Sequence, residues 1–226
     1  RVFQERARGI VGAMDEAQEC MRIRSQQPSG TLRVDASAPV MLHCVVPHLA
    51  EFRERYPAIR LELTSNDRIV DLVEYRTDIA LRAGALGDSS LHARHLRASR
   101  LHIVASPQYL ARHGRPRTAA ALDKHVLLGF TQPDTLNTWP LRHAQGNSYA
   151  ARPTLAASSG ETIRGMALAG VGIACLSEFM LREDLAAGRL VPLLDTLDNG
   201  YRQPLHAVYY RNTQLARRIA CFLDFL

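Results

Sequence analysis

The chain has 226 residues, 46% of them hydrophobic and 22% charged, which suits one large globular domain or two small ones. No run of about 18 apolar residues offers a membrane span, and the N-terminal stretch RVFQERARGIVGAMDEAQECMRIRSQQ is too charged for a signal peptide. The net charge is +6 and Lys124 is the single lysine, but acidic residues are interspersed throughout, so the basic excess reads as a solvated surface and not as a nucleic-acid face.

Residues 1–27 read as one helix. Phe3, Ala7, Ile10, Met14, Ala17 and Met21 alternate spacings of four and three, the seam of a coiled coil. A helix this short is marginal alone in water. Its seam needs a partner, a second copy of the chain or the body of its own domain, and dimerisation through Phe3, Ile10, Met14 and Met21 is the favoured expectation.

After Gly30 the pattern changes. TLRVDA is a strand with Leu32, Val34 and Ala36 on one face, followed by helix to Tyr56 that Pro47 kinks or divides. IRLELT is a second strand, RIVDLVEYR a helix capped by Asn66 or Asp67, and DIALRA a third strand. Short links in a β-α-β-α-β order predict a parallel, doubly wound sheet. LHARHLRASRLHIVAS reads as two extended pieces meeting at a turn at Ala98-Ser99. SPQYLARHG is a helix with Ser106 as cap, Pro107 at its first position and Gly114 as its stop. TAAALDKH is a short helix and VLLGF a strand. Residues 131–150 read as loop or irregular strand, and ARPTLAAS is extended. SSGETIRGMALAG opens on a capping box, Ser158 with Glu161. VGIACLS, LVPLL and LHAVYY are strands, EFMLREDLAAG a helix, and QLARRIACFLDFL an amphipathic terminal helix.

Two βα blocks followed by one more strand and helix predict two lobes: 30–104 plus 205–226, and 105–204. The chain would cross between them near 104–106 and 203–205. A cleft between such lobes is where a ligand binds.

The sequence holds no catalytic constellation. GVG at 170–172 lacks the context of a phosphate loop, and no Gly-x-Ser-x-Gly elbow occurs. His92 and His95 point to opposite faces of an extended segment, and His43 and His48 have no obvious acidic partner. Asp67, Asp71, Glu183 and Asp184 read as solvated helix-flank carboxylates. Cys20, Cys44, Cys175 and Cys221 have no metal-ligand spacing, which points to a reduced, cytoplasmic protein without metal or cofactor. What stands out is small polar residues where strands give way to helices: Ser37, Thr64, Ser65, Asn66, Thr131, Ser158, Ser159 and Gly160, with Arg82 ending the third strand. Along one edge of a parallel sheet, helix N-termini offer free N–H groups and partial positive charge to a small anion. The plainer reading is that Ser37 and Ser158 only cap their helices.

The segments GTLRVDAS, VVPHLAEFRERYPAIRLELT, DRIVDLVEYRTDIALRAG, ASPQYLARHG, GETIRGMALAGVGIACLS and DLAAGRLVPLL, in this order, resemble the effector-binding domain of LysR-type transcriptional regulators over nearly all of 30–226. The resemblance implies a fold like that of type 2 periplasmic solute-binding proteins and a small inducer in the cleft. It also implies a dimer or a tetramer of dimers, with residues 1–27 as the linker helix. It places effector contacts at Ser37, at Thr64 or Ser65, at Phe130 and Thr131, and at Ser159 and Gly160. The family carries a winged helix-turn-helix ahead of the linker helix. This sequence starts within that helix, so DNA recognition is expected only through such a preceding domain. A transporter's solute-binding protein would use the same fold and is the alternative; the coiled-coil entry helix argues against it.

Overall fold

The computed structural model describes residues 28–67, 77–86, 91–210 and 217–226. The expected helices at 1–27 and 68–76 lie outside these residues. The alternating TLRVDA and IRLELT runs form β1 (Gly30–Ala36) and β2 (Ile59–Ser65), which pair in parallel, and β3 (Ile79–Ala83) lies parallel on the other side of β1. The order β2-β1-β3 is that of a doubly wound sheet.

Between β1 and β2 the chain is helical but irregular. A single α turn, α1 (Ala38–Val40), runs into a π turn over Met41–Val45, a 3-10 turn over Val46–His48, and then α2 (Leu49–Arg55). Pro47 sits in the 3-10 turn, where its missing N–H breaks the regular ladder, so the helix divides where the sequence expects.

The largest departure is β4 (His92–Ala105). The sequence suggests two pieces and a turn at Ala98-Ser99; the structure has one strand of 14 residues. Its first half pairs antiparallel with β11 (Arg202–Tyr209), through Arg100 opposite Arg202. Its second half pairs with β9 (Ile173–Ser177) and β10 (Val191–Leu193). Ala98 and Ser99 pair in register with Pro204 and Gln203, and the register shift of this ladder lies between Leu205 and His206, where Leu96 is skipped.

Beyond β4 a second parallel unit follows. Helix α3 (Pro107–His113) has the expected punctuation, with the Ser106 hydroxyl accepting from Tyr109 N and Gly114 at positive φ. TAAALDKH is a 3-10 turn, Ala119–Lys124, and not an α-helix. Strand β5 (Leu127–Phe130) pairs in parallel with β9 and with β8 (Leu155–Ala157). Residues 131–150 are more ordered than expected. They hold a 3-10 turn at Asp134–Asn137 and a small ladder of β6 (Thr138–Trp139) with β7 (Tyr149–Ala150), because Trp139 is buried there in the core of this unit. Helices α4 (Gly160–Leu168), α5 (Glu178–Ala186) and α6 (Arg217–Phe225) complete the described elements.

Two lobes thus share one sheet, in the order β2-β1-β3-β11-β4-β9-β5-β8, with β10 also on β4. The main core crosses between them, joining Val40, Cys44 and Val45 of the first lobe to Ile163, Met180 and Leu181 of the second.

Where β4 changes partners, charges collect. Arg100 and Arg202 stand opposite one another, a repulsive pairing by itself. Asp198 lies between them, 2.9 Å from Arg100 Nε and 3.3 Å from Arg202 Nη1, and Asp195 reaches Arg100 Nη2 at 3.0 Å. Partial burial pushes the Asp198 carboxyl up. The Gly200 N–H and the two guanidinium groups outweigh it and hold the carboxyl below the usual carboxylate range. His102, buried beside Asp195, is held below the usual histidine range by burial first and Arg100 second.

A carboxyl depressed by folding contributes stability above its unfolded value of about 3.9 and loses it as pH falls through the folded value. Asp198→Asn is therefore expected to lower the unfolding free energy at neutral pH. Urea titrations of both proteins should converge once the pH falls below about 4 and on through the depressed value.

Candidate functional site

A cavity of about 650 Å³ opens between the lobes, within the usual range for a small-molecule site. The first lobe supplies Ser37, Asn66 and Arg82; the second supplies Phe130, Ser158, Gly160 and Ser177 of β9; Leu101 and Gln203 of the crossing strands β4 and β11 complete the lining. Parallel strand ends deliver these residues to one edge of the sheet.

Asp35, the residue before the β1 end, is buried. Its carboxylate lies 2.8 Å from Arg82 Nη1 and accepts a 2.6 Å bond from Asn66 Nδ2. The pair exists because β1 and β3 are neighbours in register, with Asp35 opposite Ala80 and so on the same face as Arg82 two residues on. Arg82 Nη2 is buried without a hydrogen-bond partner. Arg82 therefore brings one half-neutralised cation to the cavity wall.

Ser37 sits at the cap position of α1 with extended backbone, yet its side chain makes no cap bond. The Ala38 N–H is met by the Asp67 carboxylate at 3.3 Å. The plainer reading of Ser37 as a mere cap fails, and Ser37 lines the cavity. The expected capping box also fails. Helix α4 starts at Gly160 with Ser159 as its cap residue and no side-chain bond; Glu161 then falls at the second helical position, one short of a capping box, and pairs with His43 and Arg164. Gly160 is a glycine for a packing reason: a Cβ there would lie 3.0 Å from Pro39 Cγ and 3.4 Å from Met180 Cε. Phe130 is fixed by Asn137, whose Oδ1 accepts from Phe130 N at 2.8 Å and whose Nδ2 donates to Phe130 O at 2.9 Å.

Of the residues singled out in the sequence, Ser37, Asn66, Arg82, Phe130, Ser158 and Gly160 line the cavity. Thr64, Ser65, Thr131 and Ser159 do not; at Thr131 the neighbouring Gln132 lines it instead. Phe3, Ile10, Met14 and Met21 lie outside the described residues. Sequence reasoning missed Ser177, Gln203, Phe179, Met180 and Cys175, all of them in the lining. The strand-end rule applied to VGIACLS would have found Ser177, whose hydroxyl donates to Gln203 of β11. Gln203 lies inside a strand and carries no such signal.

Two charge readings are corrected. Asp184 is not a solvated flank residue: it is fully buried, 2.6 Å from Arg164 Nε and 2.7 Å from Arg189 Nη2. His43 does have an acidic partner, Glu161, at 2.7 Å. Glu161 lies 118 residues further along the chain, so only the fold brings the two together.

Burial pushes the Cys175 thiol well up, with Asp198 adding to it, so it stays protonated in the cleft wall. Among the described residues no group of three or more His, Cys, Asp or Glu is placed to hold a metal ion. No described helix is long and apolar enough to cross a membrane. The geometry suits reversible binding of a compound with one polar head and an apolar body.

Residues 25–226 match the family model described as the LysR substrate binding domain. The HTH-type transcriptional regulator CrgA of Neisseria meningitidis serogroup C is 48% identical over 224 residues, covering 99% of this chain and 75% of the relative. The solved CrgA regulatory domain from Neisseria meningitidis superposes with a TM-score of 0.84 over 88% of this chain and 97% of that one, at 48% identity. The full-length structure of the Vibrio cholerae virulence activator AphB gives a TM-score of 0.75 at 28% identity, over 99% of this chain and 76% of that one.

Truncating Arg82 strands a buried carboxylate. Arg82→Ala is expected to cost about 3–5 kcal/mol. Removing both charges, Asp35→Ala with Arg82→Met, should cost much less. Urea unfolding of the two variants checks the ordering.

Proposed function

The chain belongs to the LysR substrate-binding domain family and is the effector-binding domain of a LysR-type transcriptional regulator, and from that premise we propose that its effector is a small organic monoanion held in the interlobe cleft. The observation that carries this reading is the roughly 650 Å³ cavity drawing on both lobes, with Arg82 as the only lysine or arginine among the described residues that line it. The effector's charged group sits at Arg82, the Ser37 and Ser158 hydroxyls and the first turn of α4, where unpaired N–H groups and the helix dipole favour negative charge. Asp35 already offsets part of the Arg82 charge, and Asp67 adds a negative charge to the lining. Those carboxylates disfavour a second anionic group on the ligand. Val40, Phe130, Phe179 and Met180 take its apolar body.

The ligand shifts the angle between lobes, or between subunits, only to the extent that it binds one arrangement better than another. Paired copies, joined through Phe3, Ile10, Met14 and Met21, pass that shift to a helix-turn-helix part, so the protein works in the cytoplasm and performs no reaction of its own. The lobes are taken as 30–104 with 205–226, and 105–204. A transporter role finds no support among the relatives, which are transcriptional regulators.

In a thermal-shift panel of monocarboxylates, dicarboxylates, amines and sugars, a monocarboxylate is expected to stabilise the protein by about 2.7 kcal/mol at one hundred times its dissociation constant. Ser37→Ala should abolish that gain. Stabilisation by neutral or cationic compounds alone overturns the ligand class. Light scattering should show the 226-residue chain as a dimer or tetramer, and a chain starting at Ser29 as a smaller species. Two monomers would remove the basis for subunit coupling.

A further inference from the structure

The first lobe touches the second beside the cleft as well as at the crossing strands. Two contacts define the seam. Pro39 of α1 rests on Gly160, and one helical turn later His43 of the π turn meets Glu161, the next residue of α4. Both partners of the second contact are partly buried, with side-chain exposures of 25% and 22%. Glu161 does not act alone. Its other oxygen lies 3.3 Å from Arg164 Nη1, Arg164 Nε lies 2.6 Å from Asp184, and Asp184 holds Arg189. Five side chains of alternating charge thus run from the first lobe into the second, anchored on a fully buried carboxylate. The anchor fixes Arg164, and Arg164 fixes Glu161, so Glu161 is presented to His43 at little further entropic cost.

We infer that His43 and Glu161 form a proton-sensitive latch between the lobes, closing the seam more firmly when the imidazole is charged. A neutral imidazole donates one N–H to the carboxylate. Protonation turns that contact into a charge-assisted bond roughly twice as strong. Among the described residues, the other charged groups placed here are Arg164 of α4, which pairs with Glu161, and Arg182 of α5 and Arg97 of β4, which both act on the neighbouring thiol of Cys44. All three are cations, so Glu161 is the carboxylate that compensates the charge on His43. His102 at the crossing strands works in the opposite sense. Folding lowers its affinity for a proton, so acid destabilises the fold there while tightening the seam here. The latch lies outside the cavity lining and holds whether or not the cleft takes an anion.

Cys44 supplies a native reporter. It follows His43 and is buried in the core that joins the lobes. Its labelling by a pyridyl disulfide in the 226-residue chain, assigned to each cysteine by mass spectrometry of the proteolytic peptides, reads how often the seam opens. The comparison is between variant and parent at one pH, which cancels the pH dependence of the reagent. His43→Gln and Glu161→Gln are each expected to raise the Cys44 rate about two- to fivefold near pH 5.5, and less near pH 8. The double variant should label no faster than either single one. Cys175, in the cleft wall, should keep its parent rate. A variant-to-parent ratio that is the same at both pH values overturns the proposal, as does an unchanged Cys44 rate. Equal acceleration of Cys44 and Cys175 overturns it too, by showing general loosening of the fold.

Discussion

The two lobes are not free to separate, because β4 belongs to both. Over its 14 residues it pairs first with β11 and then with β9 and β10, so the hydrogen-bonded ladder is unbroken from one lobe to the other. This constraint organises everything else. It puts the strand ends of both parallel units along one cleft, and it sets Arg100 against Arg202, so that Asp198 and Asp195 are needed at the crossing. It also brings α1 and its π turn alongside α4 and α5, where Pro39 meets Gly160 and His43 meets Glu161.

Apolar burial and ion pairing divide the work between the lobes. The core spanning them is built from Val40, Cys44, Val45, Ile163, Met180 and Leu181, and such contacts are non-directional. Each fully buried side chain of this size is worth about 1.5–3 kcal/mol, which holds the lobes together without fixing their angle. Direction comes from the polar groups. Asp35 with Arg82, Asp184 with Arg164 and Arg189, and Ser177 with Gln203 each tie two elements at one geometry. Buried ion pairs add little net stability over apolar packing of the same shape, and losing one partner is expensive. Their contribution here is to position Arg82 in the cleft wall and Glu161 at the seam.

Most of the fold was legible in the sequence, because alternating strands and amphipathic helices leave local signatures. TLRVDA, IRLELT and DIALRA appear as parallel strands, and SPQYLARHG appears with its cap, proline and glycine stop. Misreadings came where the deciding partner is distant. The turn at Ala98-Ser99 was inferred from small residues; pairing with β11, 100 residues downstream, keeps that segment straight. His43 gained Glu161 and Asp184 gained Arg164 by tertiary contact, which spacing cannot show. In the cleft, the strand-end reading singled out Ser37, Asn66, Arg82, Ser158 and Gly160, which line the cavity, and the family resemblance added Phe130; at Thr131 the lining residue is its neighbour Gln132. Side chains alternate across a strand, so a one-residue error in where a strand ends exchanges inside for outside. Gln203 lies in the crossing expected at 203–205, but nothing local marks its side chain as lining the cleft.

The undivided sheet also decides what kind of mechanical output the protein can give. Hydrogen bonds between strands resist stretching and sliding, whereas the natural twist of a sheet is soft and varies widely between neighbouring strands. Two bodies joined by β4 and β11 are therefore more compliant to torsion about those strands than to separation. A small rotation at Arg100 and Leu101 would sweep the far rim of each lobe through a larger arc than anything at the cleft itself.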